Sequence, residues 1–128
     1  MKKIFYWGPF IDNKIATVKA MYNSAKGINR FSKSYKALIV NNLGEWNFKI
    51  NENNKEFFIG TKHNFINKLP KFGFIRSRFS YIIIFIITLI SLKNILKKYK
   101  PDYFIAHLIV SAPLILFKIF NFETRLIL

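Results

Sequence analysis

The chain has 128 residues, which is enough for one domain with a real hydrophobic core and too few for two substantial domains. Hydrophobic residues make up 52% of it and aromatic residues 18%, so disorder is not expected and the chain requires a packed or membrane-embedded state. The absence of cysteine excludes disulfides, thiolate metal sites and thiol nucleophiles, and it fits a reducing cytosol.

The charge is strongly unbalanced, because 21 Lys and Arg residues stand against 6 Asp and Glu, a formal net charge of +15. Between Gly60 and Lys100 the sequence has nine basic residues and no acidic one. Anionic lipid or phosphorylated substrates would attract such a chain, although an AT-rich genome also enriches Lys together with Ile, Asn and Phe. Nucleic acid is not expected as a partner, because the aromatic residues lie inside apolar runs and no DNA- or RNA-binding signature is present.

The first half of the chain alternates between apolar runs and helical patterns. Lys3–Trp7 is a short apolar run, typical of a buried strand and too short for the core of a signal peptide. The loop Gly8–Lys14 follows it and leads into a helix from about Ile15 to Ser32, where apolar residues recur at helical spacing. Ala37–Val40 is then predicted to be a second strand.

The segment from Glu45 to Phe74 is the least regular part of the sequence. Within it, Phe48–Ile50 and Phe57–Ile59 are candidates for short strands around a polar turn. Beyond it, the remaining elements are predicted to be a helix at Ser77–Tyr99, a strand at Asp102–Ala106, a helix at Val110–Phe120 and the opening of a fourth strand at Arg125–Leu128.

This order of elements predicts an α/β fold: a Rossmann-like open parallel sheet with helices on both faces. Lys3–Trp7, Ala37–Val40 and Asp102–Ala106 should be neighbours in that sheet. Because the sequence ends inside an apolar strand, we expect residues 1–128 to form a single domain that is incomplete at its C-terminus.

Phe79–Leu92 is a run of fourteen residues without a charge. As a helix it spans about 21 Å, less than the ~30 Å hydrocarbon core of a bilayer. We expect a helix packed on the sheet, with one face available to a membrane surface. Basic residues flank the run: Arg76, Arg78, Lys93, Lys97 and Lys98. In the alternative interpretation this run and Tyr103–Phe117 form two membrane spans of a small basic protein without catalysis, although Pro101-Asp102 and His107 interrupt the second span.

Few residues suggest a site by their position, and their spacing makes neither a catalytic constellation nor a metal site. His107 follows the strand Asp102–Ala106 at its carboxyl end, where α/β proteins open their ligand crevices. Ser111, one helical turn later, is either its partner or a helix cap. A structural, partly buried histidine is the alternative for His107, and His63 is predicted to be a solvated loop residue.

The loop Gly8–Lys14 stands between a strand and a helix N-terminus, the position at which open α/β sheets bind phosphate or sugar. Its sequence is neither a Walker loop nor a dinucleotide-binding glycine motif. Its candidate substrate-binding residues are Gly8, Pro9, Asn13 and Lys14, to which Ser111 is added from the later helix. A plain turn is the alternative for the loop.

Three passages of the sequence resemble glycosyltransferase family 4, whose members have the GT-B fold. Residues 4–10 followed by 15–20 look like the first strand, loop and helix of that family. Residues 97–108 resemble its passage of a basic helix, Lys-Pro-Asp, an apolar strand and a histidine, here His107. Residues 125–128 resemble the strand that comes next.

The resemblance implies the N-terminal, acceptor-side half of an enzyme that transfers a sugar to a cell-envelope glycan or a lipid-linked acceptor, with His107 as a catalytic residue. It implies no cofactor or metal, and a bacterial protein in the cytoplasm or peripheral at the inner membrane. The family's donor half, with its E-x7-E motif, is absent, so the nucleotide-sugar would bind only with a missing or separately encoded C-terminal domain, and the chain alone should be inactive. The glycine pair that many members have in the first loop is replaced here by Asn13-Lys14.

Overall fold

The computed structural model describes residues 1–61 and 63–128, and over these residues it has five strands and three α-helices. In chain order these are β1 (Lys2–Trp7), α1 (Ala16–Phe31), β2 (Tyr35–Asn41), β3 (Phe58–Gly60), α2 (Phe74–Tyr99), β4 (Tyr103–Ala106), α3 (Ser111–Ile119) and β5 (Arg125–Ile127). Two short 3-10 turns lie between β2 and α2, at Lys55–Phe57 and Ile66–Lys68.

The strands form one parallel sheet in the order β3-β2-β1-β4-β5. In the centre of the sheet, Ile4 of β1 is in register with Ala37 of β2 on one side and with Tyr103 of β4 on the other. The predicted α/β class and the predicted neighbours of β1 are therefore confirmed. From β1 the chain adds β2 and β3 on one side and then β4 and β5 on the other side of β1. This is the strand order of a Rossmann-like fold.

One face of the sheet is covered by α2 and α3. Phe5 and Trp7 of β1 and Phe104 of β4 point to this face, where they pack against Leu96 of α2 and Leu116 of α3. All five side chains are at most 3% exposed. Because successive residues of a strand point to opposite faces, the residues that alternate with Phe5, Trp7 and Phe104 point to the other face of the sheet, where a second core is needed.

That second core lies under α1. Tyr6 of β1 and Ile39 of β2 pack against Val18, Met21 and Ala25, which follow the three- and four-residue steps of one helix face. Helices on both faces of the sheet are thus confirmed. Phe5, Tyr6 and Trp7 are buried on alternate faces, which explains why the second half of β1 is continuously apolar.

The irregular segment differs from its prediction. Phe48–Ile50 is part of a turn in which the backbone N–H groups of Lys49 and Ile50 donate to the carbonyl of Trp46, so it cannot join the sheet. The second candidate does form a strand, displaced by one residue to Phe58–Gly60. The helix predicted from Ser77 begins three residues earlier, directly after Gly73, whose φ of +94° ends the preceding turn.

The two apolar runs do not form a helical hairpin. Tyr103–Ala106 is a strand between β1 and β5, and the helix that follows has nine residues. In the described part of the chain, α2 is the one helix that is long and apolar enough to cross a membrane, and only 33% of its apolar window is buried inside the protein. Phe79–Leu92 and Tyr103–Phe117 therefore do not form two membrane-spanning helices.

The outer edge of β2 is completed by a side chain. Because β3 pairs only with the last residues of β2, the backbone of Ala37 has no strand beside it there. Asn29, in the last turns of α1, accepts a hydrogen bond from the Ala37 N–H at 2.7 Å and donates one to its carbonyl at 2.8 Å. The Asn29 amide thus replaces a neighbouring strand and fastens α1 to the sheet.

We expect Asn29→Ala to lower the free energy of unfolding by roughly 1–3 kcal/mol, because it leaves two backbone groups of β2 without their partners. Urea denaturation measures this. Asn23→Ala is the matched control, because Asn23 lies on the exposed side of the same helix and its change carries only the gain in helix propensity. Equal stabilities of the two variants would contradict the role given to Asn29.

Candidate functional site

A cavity of about 530 Å³ opens at the carboxyl edge of the sheet, where β1 and β2 end. Its walls come from the loop after β1, the segment after β2 and the residues that lead into α2. Its polar lining includes side-chain amides and two lysines: Asn13, Lys14, Asn47, Asn64, Asn67 and Lys71. Its lining also includes four aromatic rings, those of Phe10, Phe48, Phe72 and Tyr81. The cavity combines hydrogen-bonding amides, aromatic surface and positive charge.

Asn41, the last residue of β2, organises the segment that forms the floor of this cavity. Its Oδ1 accepts a hydrogen bond from the Trp46 N–H at 3.1 Å, and its Nδ2 donates to Asn47 Oδ1 at 2.8 Å and to the carbonyl of Thr61 at 3.0 Å. Trp46 in turn packs its ring edge-on against Phe10, with 5.2 Å between the ring centroids. A buried amide therefore positions both an amide and an aromatic ring of the lining.

Gly44 allows the segment after β2 to pack directly against the backbone of residues 63–66, which covers it. Its φ is +80°, and a Cβ at this position would lie 2.2 Å from the carbonyl oxygen of His63. The backbone N–H groups of Phe65 and Ile66 donate to the carbonyl of Leu43 just beside it. Only glycine meets both requirements, the left-handed backbone and the close approach.

Glu45 is a buried acid next to the cavity that the sequence did not single out. Its side chain is 2% exposed, and its two carboxyl oxygens accept hydrogen bonds from the backbone N–H groups of Asn42 at 3.3 Å and Leu43 at 2.6 Å. Burial raises the pKa of Glu45 to about 7, although these backbone hydrogen bonds act in the opposite direction. The carboxyl group holds the turn closed.

His107 lies directly after β4, as predicted, on the α1 side of the sheet. Its backbone N–H donates to the carbonyl of Trp7 at 2.8 Å, and its ring stacks on that of Tyr6 with 6.3 Å between centroids and 6° between planes. Partial burial lowers the pKa of His107, so the ring is neutral at neutral pH and can accept a proton. The next residue, Leu108, has a φ of +67°, an uncommon conformation for a leucine at the start of a loop.

Gly8 brings the first loop against His107. A Cβ on Gly8 would lie 3.1 Å from the Cβ of His107 and 2.9 Å from the sulfur of Met21. Gly8 and Pro9 are buried, so they hold the loop in place and do not face solvent. The glycine allows the histidine and α1 to approach the end of β1 together.

The predicted site residues fall into two groups in the described part of the chain. Asn13 and Lys14 line the cavity, whereas Gly8 contacts His107, which is not among the lining residues. Ser111 is exposed at the first position of α3 and lies outside the lining as well. The loop after β1 connects the two groups, because its first residues touch His107 and its last ones face the cavity.

A second cavity of about 590 Å³ lies at the opposite edge, where β4 and β5 begin. Its polar groups are used to close that edge: Asp102 Oδ2 accepts from the Lys3 N–H at 2.8 Å, and the carbonyl of Pro101 accepts from Thr124 Oγ1 at 2.6 Å. Open parallel sheets bind ligands at the carboxyl edge, so the first cavity is the candidate site. Residues 1–61 and 63–128 contain no cluster of three His, Asp or Glu side chains that could hold a metal ion.

Stability should depend on pH through Glu45. Its folded pKa of about 7 lies above the unfolded value of 4.5, so the folded state holds a proton that the unfolded state has lost between these pH values. The contribution of this proton to the free energy of unfolding is fully present below pH 4.5, and it falls by up to roughly 3 kcal/mol as the pH rises to 7. Chemical denaturation of the parent across this window measures the slope.

Glu45→Gln should remove this pH dependence, whatever it does to the stability itself. Glu52→Gln is the matched control, because Glu52 is exposed and its loss should leave the slope unchanged. The lowered pKa of His107 makes stability rise with pH below 6.5 in the parent and the variant alike, so the test is the difference between them. Equal slopes for the parent and Glu45→Gln would contradict the assignment.

Comparisons of the chain with known protein families, with curated proteins and with solved structures find no match. The resemblance to glycosyltransferase family 4 therefore stays an expectation based on residues 4–20 and 97–128. Any conclusion about function has to come from the cavity and from His107 beside it.

Proposed function

We propose that this chain is the N-terminal, acceptor-side half of a bacterial GT-B glycosyltransferase, and that the cavity at the carboxyl edge binds the acceptor glycan. The observation that supports it best is the lining of the cavity, which joins side-chain amides to aromatic rings. An amide both donates and accepts hydrogen bonds, which matches the hydroxyl groups of a sugar. Aromatic rings pack against the apolar face of a sugar ring.

The two lysines of the lining suit an acceptor that carries phosphate. Lys14 and Lys71 are both exposed at the cavity. Its lining also has two acids: Asp12, whose Oδ1 accepts a hydrogen bond from the Lys14 N–H at 3.0 Å, and the buried Glu45. A lysine recognises a phosphate as a point charge. A phosphorylated glycan or a lipid-linked sugar would therefore be favoured over a neutral one.

His107 is proposed to act on the acceptor hydroxyl. A neutral imidazole can take up a proton from that hydroxyl as the oxygen attacks the anomeric carbon of the donor sugar. The lowered pKa of His107 keeps it in this form, and the turn at Leu108 presents it at the carboxyl edge. Because His107 lies outside the cavity lining, the reacting hydroxyl must extend past the buried turn at Gly8.

The donor side of the reaction is proposed to lie outside these 128 residues. The bond from the anomeric carbon to the nucleotide diphosphate breaks as the bond to the acceptor oxygen forms, and the leaving diphosphate needs cations and helix N-termini around it. On this proposal the present chain binds the acceptor by itself and binds a nucleotide-sugar only together with a donor domain. Its place would be the cytoplasmic side of envelope polysaccharide or lipopolysaccharide assembly.

Acceptor binding can be measured on the isolated chain by NMR titration. We expect a lipopolysaccharide core oligosaccharide and glucose 1-phosphate to shift the amide resonances of Asn64 and Asn67, and unphosphorylated glucose to shift them less. Asn64→Ala and Lys14→Ala should each weaken binding about three- to tenfold, the loss of one hydrogen bond or one charge. Lys26→Ala, on the exposed side of α1, is the control. Shifts confined to other surfaces, or none, would contradict the proposal.

The role of His107 requires a complete enzyme, rebuilt by adding a donor domain. There His107→Ala should lower turnover by roughly 10²-fold or more and remove one ionisation from the pH profile, because the proton acceptor is lost. His63→Ala, in an exposed loop, is the control. Unchanged turnover in the His107 variant would make this residue structural.

A further inference from the structure

The long helix α2 exposes a continuous apolar stripe to solvent. Five residues form it, with relative exposures between 53% and 80%: Ile75, Phe79, Ile82, Ile86 and Ile90. Their steps of three and four residues place them on one face of the helix. At 1.5 Å per residue the stripe is about 22 Å long, and nothing in the described chain covers it. Such a surface is unusual on a protein that stays in water.

The opposite face of α2 is fixed to the sheet, so the orientation of the stripe is set. Leu92 and Leu96 are buried in the core under the sheet, and Ile84 packs on Leu43. Thr88 accepts a hydrogen bond from the buried amide of Asn42, and Ser91 donates one to it. Crossing a bilayer would require α2 to break these contacts, whereas lying on a bilayer surface breaks none.

The charged residues of α2 and of the sequence on either side of it are all positive. Residues 57–101 contain nine basic side chains and no acidic one. Arg76 and Arg78 follow Ile75 and lie on either side of the stripe, and Lys93 and Lys97 continue its three- and four-residue steps beyond Ile90. The apolar face therefore has cations at both ends, which is the pattern of a helix that lies in the interface of an anionic membrane.

We propose that α2 docks flat on an anionic bilayer surface through this stripe, with its axis parallel to the membrane. A second copy of the chain fits the stripe poorly, because two such faces would bring their arginines and lysines together without any acid between them. Anionic lipid supplies both the apolar layer and the compensating charge. This proposal does not depend on the proposed function, since it uses no residue of the acceptor reaction.

The apolar part of the contact is tested by flotation of the chain with lipid vesicles. We expect binding to vesicles of phosphatidylcholine and phosphatidylglycerol. Ile82→Asn combined with Ile86→Asn should weaken it at least tenfold, because the centre of the stripe becomes polar. Phe31→Asn, which changes an equally exposed apolar residue at the end of α1, should stay within about twofold of the parent. Unfolding curves confirm that all variants fold. Equal binding by the stripe variant and the parent would overturn the proposal.

The charged part is tested by salt and by substitution. Added salt should weaken binding to the anionic vesicles, and vesicles of phosphatidylcholine alone should bind at least tenfold less. Arg76→Gln combined with Arg78→Gln should reduce both the affinity and its salt dependence, more than Lys19→Gln combined with Lys26→Gln on the exposed side of α1. Equal binding to neutral and anionic vesicles would overturn the electrostatic half of the proposal.

The depth of α2 separates docking from spanning. Trp7 and Trp46 are buried, so a tryptophan introduced by Ile86→Trp reports the stripe. Lipids brominated near the head groups should quench it more strongly than lipids brominated near the chain ends. Stronger quenching from the bilayer centre would overturn the flat orientation. A dimer seen by sedimentation velocity without vesicles, and abolished in the Ile82/Ile86 variant, would show that a second copy of the chain covers the stripe and would overturn the proposal.

Discussion

The buried amide of Asn42 joins the end of β2 to the middle of α2, and both proposed surfaces depend on that connection. Its Nδ2 donates to Thr88 Oγ1 at 3.2 Å, and its Oδ1 accepts from the hydroxyl of Ser91. A helix that is apolar on nearly every side could rotate about its axis without losing much hydrophobic burial. Hydrogen bonds in a dry interior have one satisfied geometry, and leaving one unmade is costly. They therefore determine which side of α2 faces solvent.

The same amide is part of the turn that forms the cavity floor. The backbone N–H of Asn42 donates to Glu45, the neighbouring Asn41 holds Trp46, and Gly44 lets the covering chain approach closely. The side chains of Asn41, Asn42 and Glu45 are buried, and protein groups rather than water supply their hydrogen bonds. This arrangement keeps the carboxyl group of Glu45 away from water, which raises the pKa of that group. The backbone N–H groups of Phe65 and Ile66 donate to the carbonyl of Leu43 in this turn, so the turn positions the backbone that carries the exposed amide of Asn64.

The sequence was a good guide to the sheet and a poor one to the cavity, for a physical reason. β1 and β2 have buried residues on both faces, and β4 is buried on one face and half-buried on the other. Such strands consist of apolar runs bounded by glycine, proline or asparagine, which a sequence shows directly. The segment after β2 is ordered instead by single polar contacts, such as those of Asn41 and Glu45, and these have no period. β3 is a three-residue edge strand, too short to leave a pattern. The position of His107 could be predicted because strand ends mark an edge in any parallel sheet, whereas the lining amides look like ordinary loop residues until the chain is folded.

The cavity and the apolar stripe meet in the first turns of α2. Ser77 and Tyr81 face the cavity, while Ile75 and Phe79, two positions before each of them, begin the stripe. Residues two apart on a helix point to different sides, so one short stretch of helix serves as the cavity wall and as the end of the docking face. With a helix about 10–12 Å across, a chain docked by the stripe holds the cavity within roughly that distance of the membrane surface. A sugar attached to a lipid would reach the amides and lysines of the lining from that surface without leaving the bilayer. The proposed acceptor and the proposed docking surface therefore suit one another geometrically, although each is tested without the other.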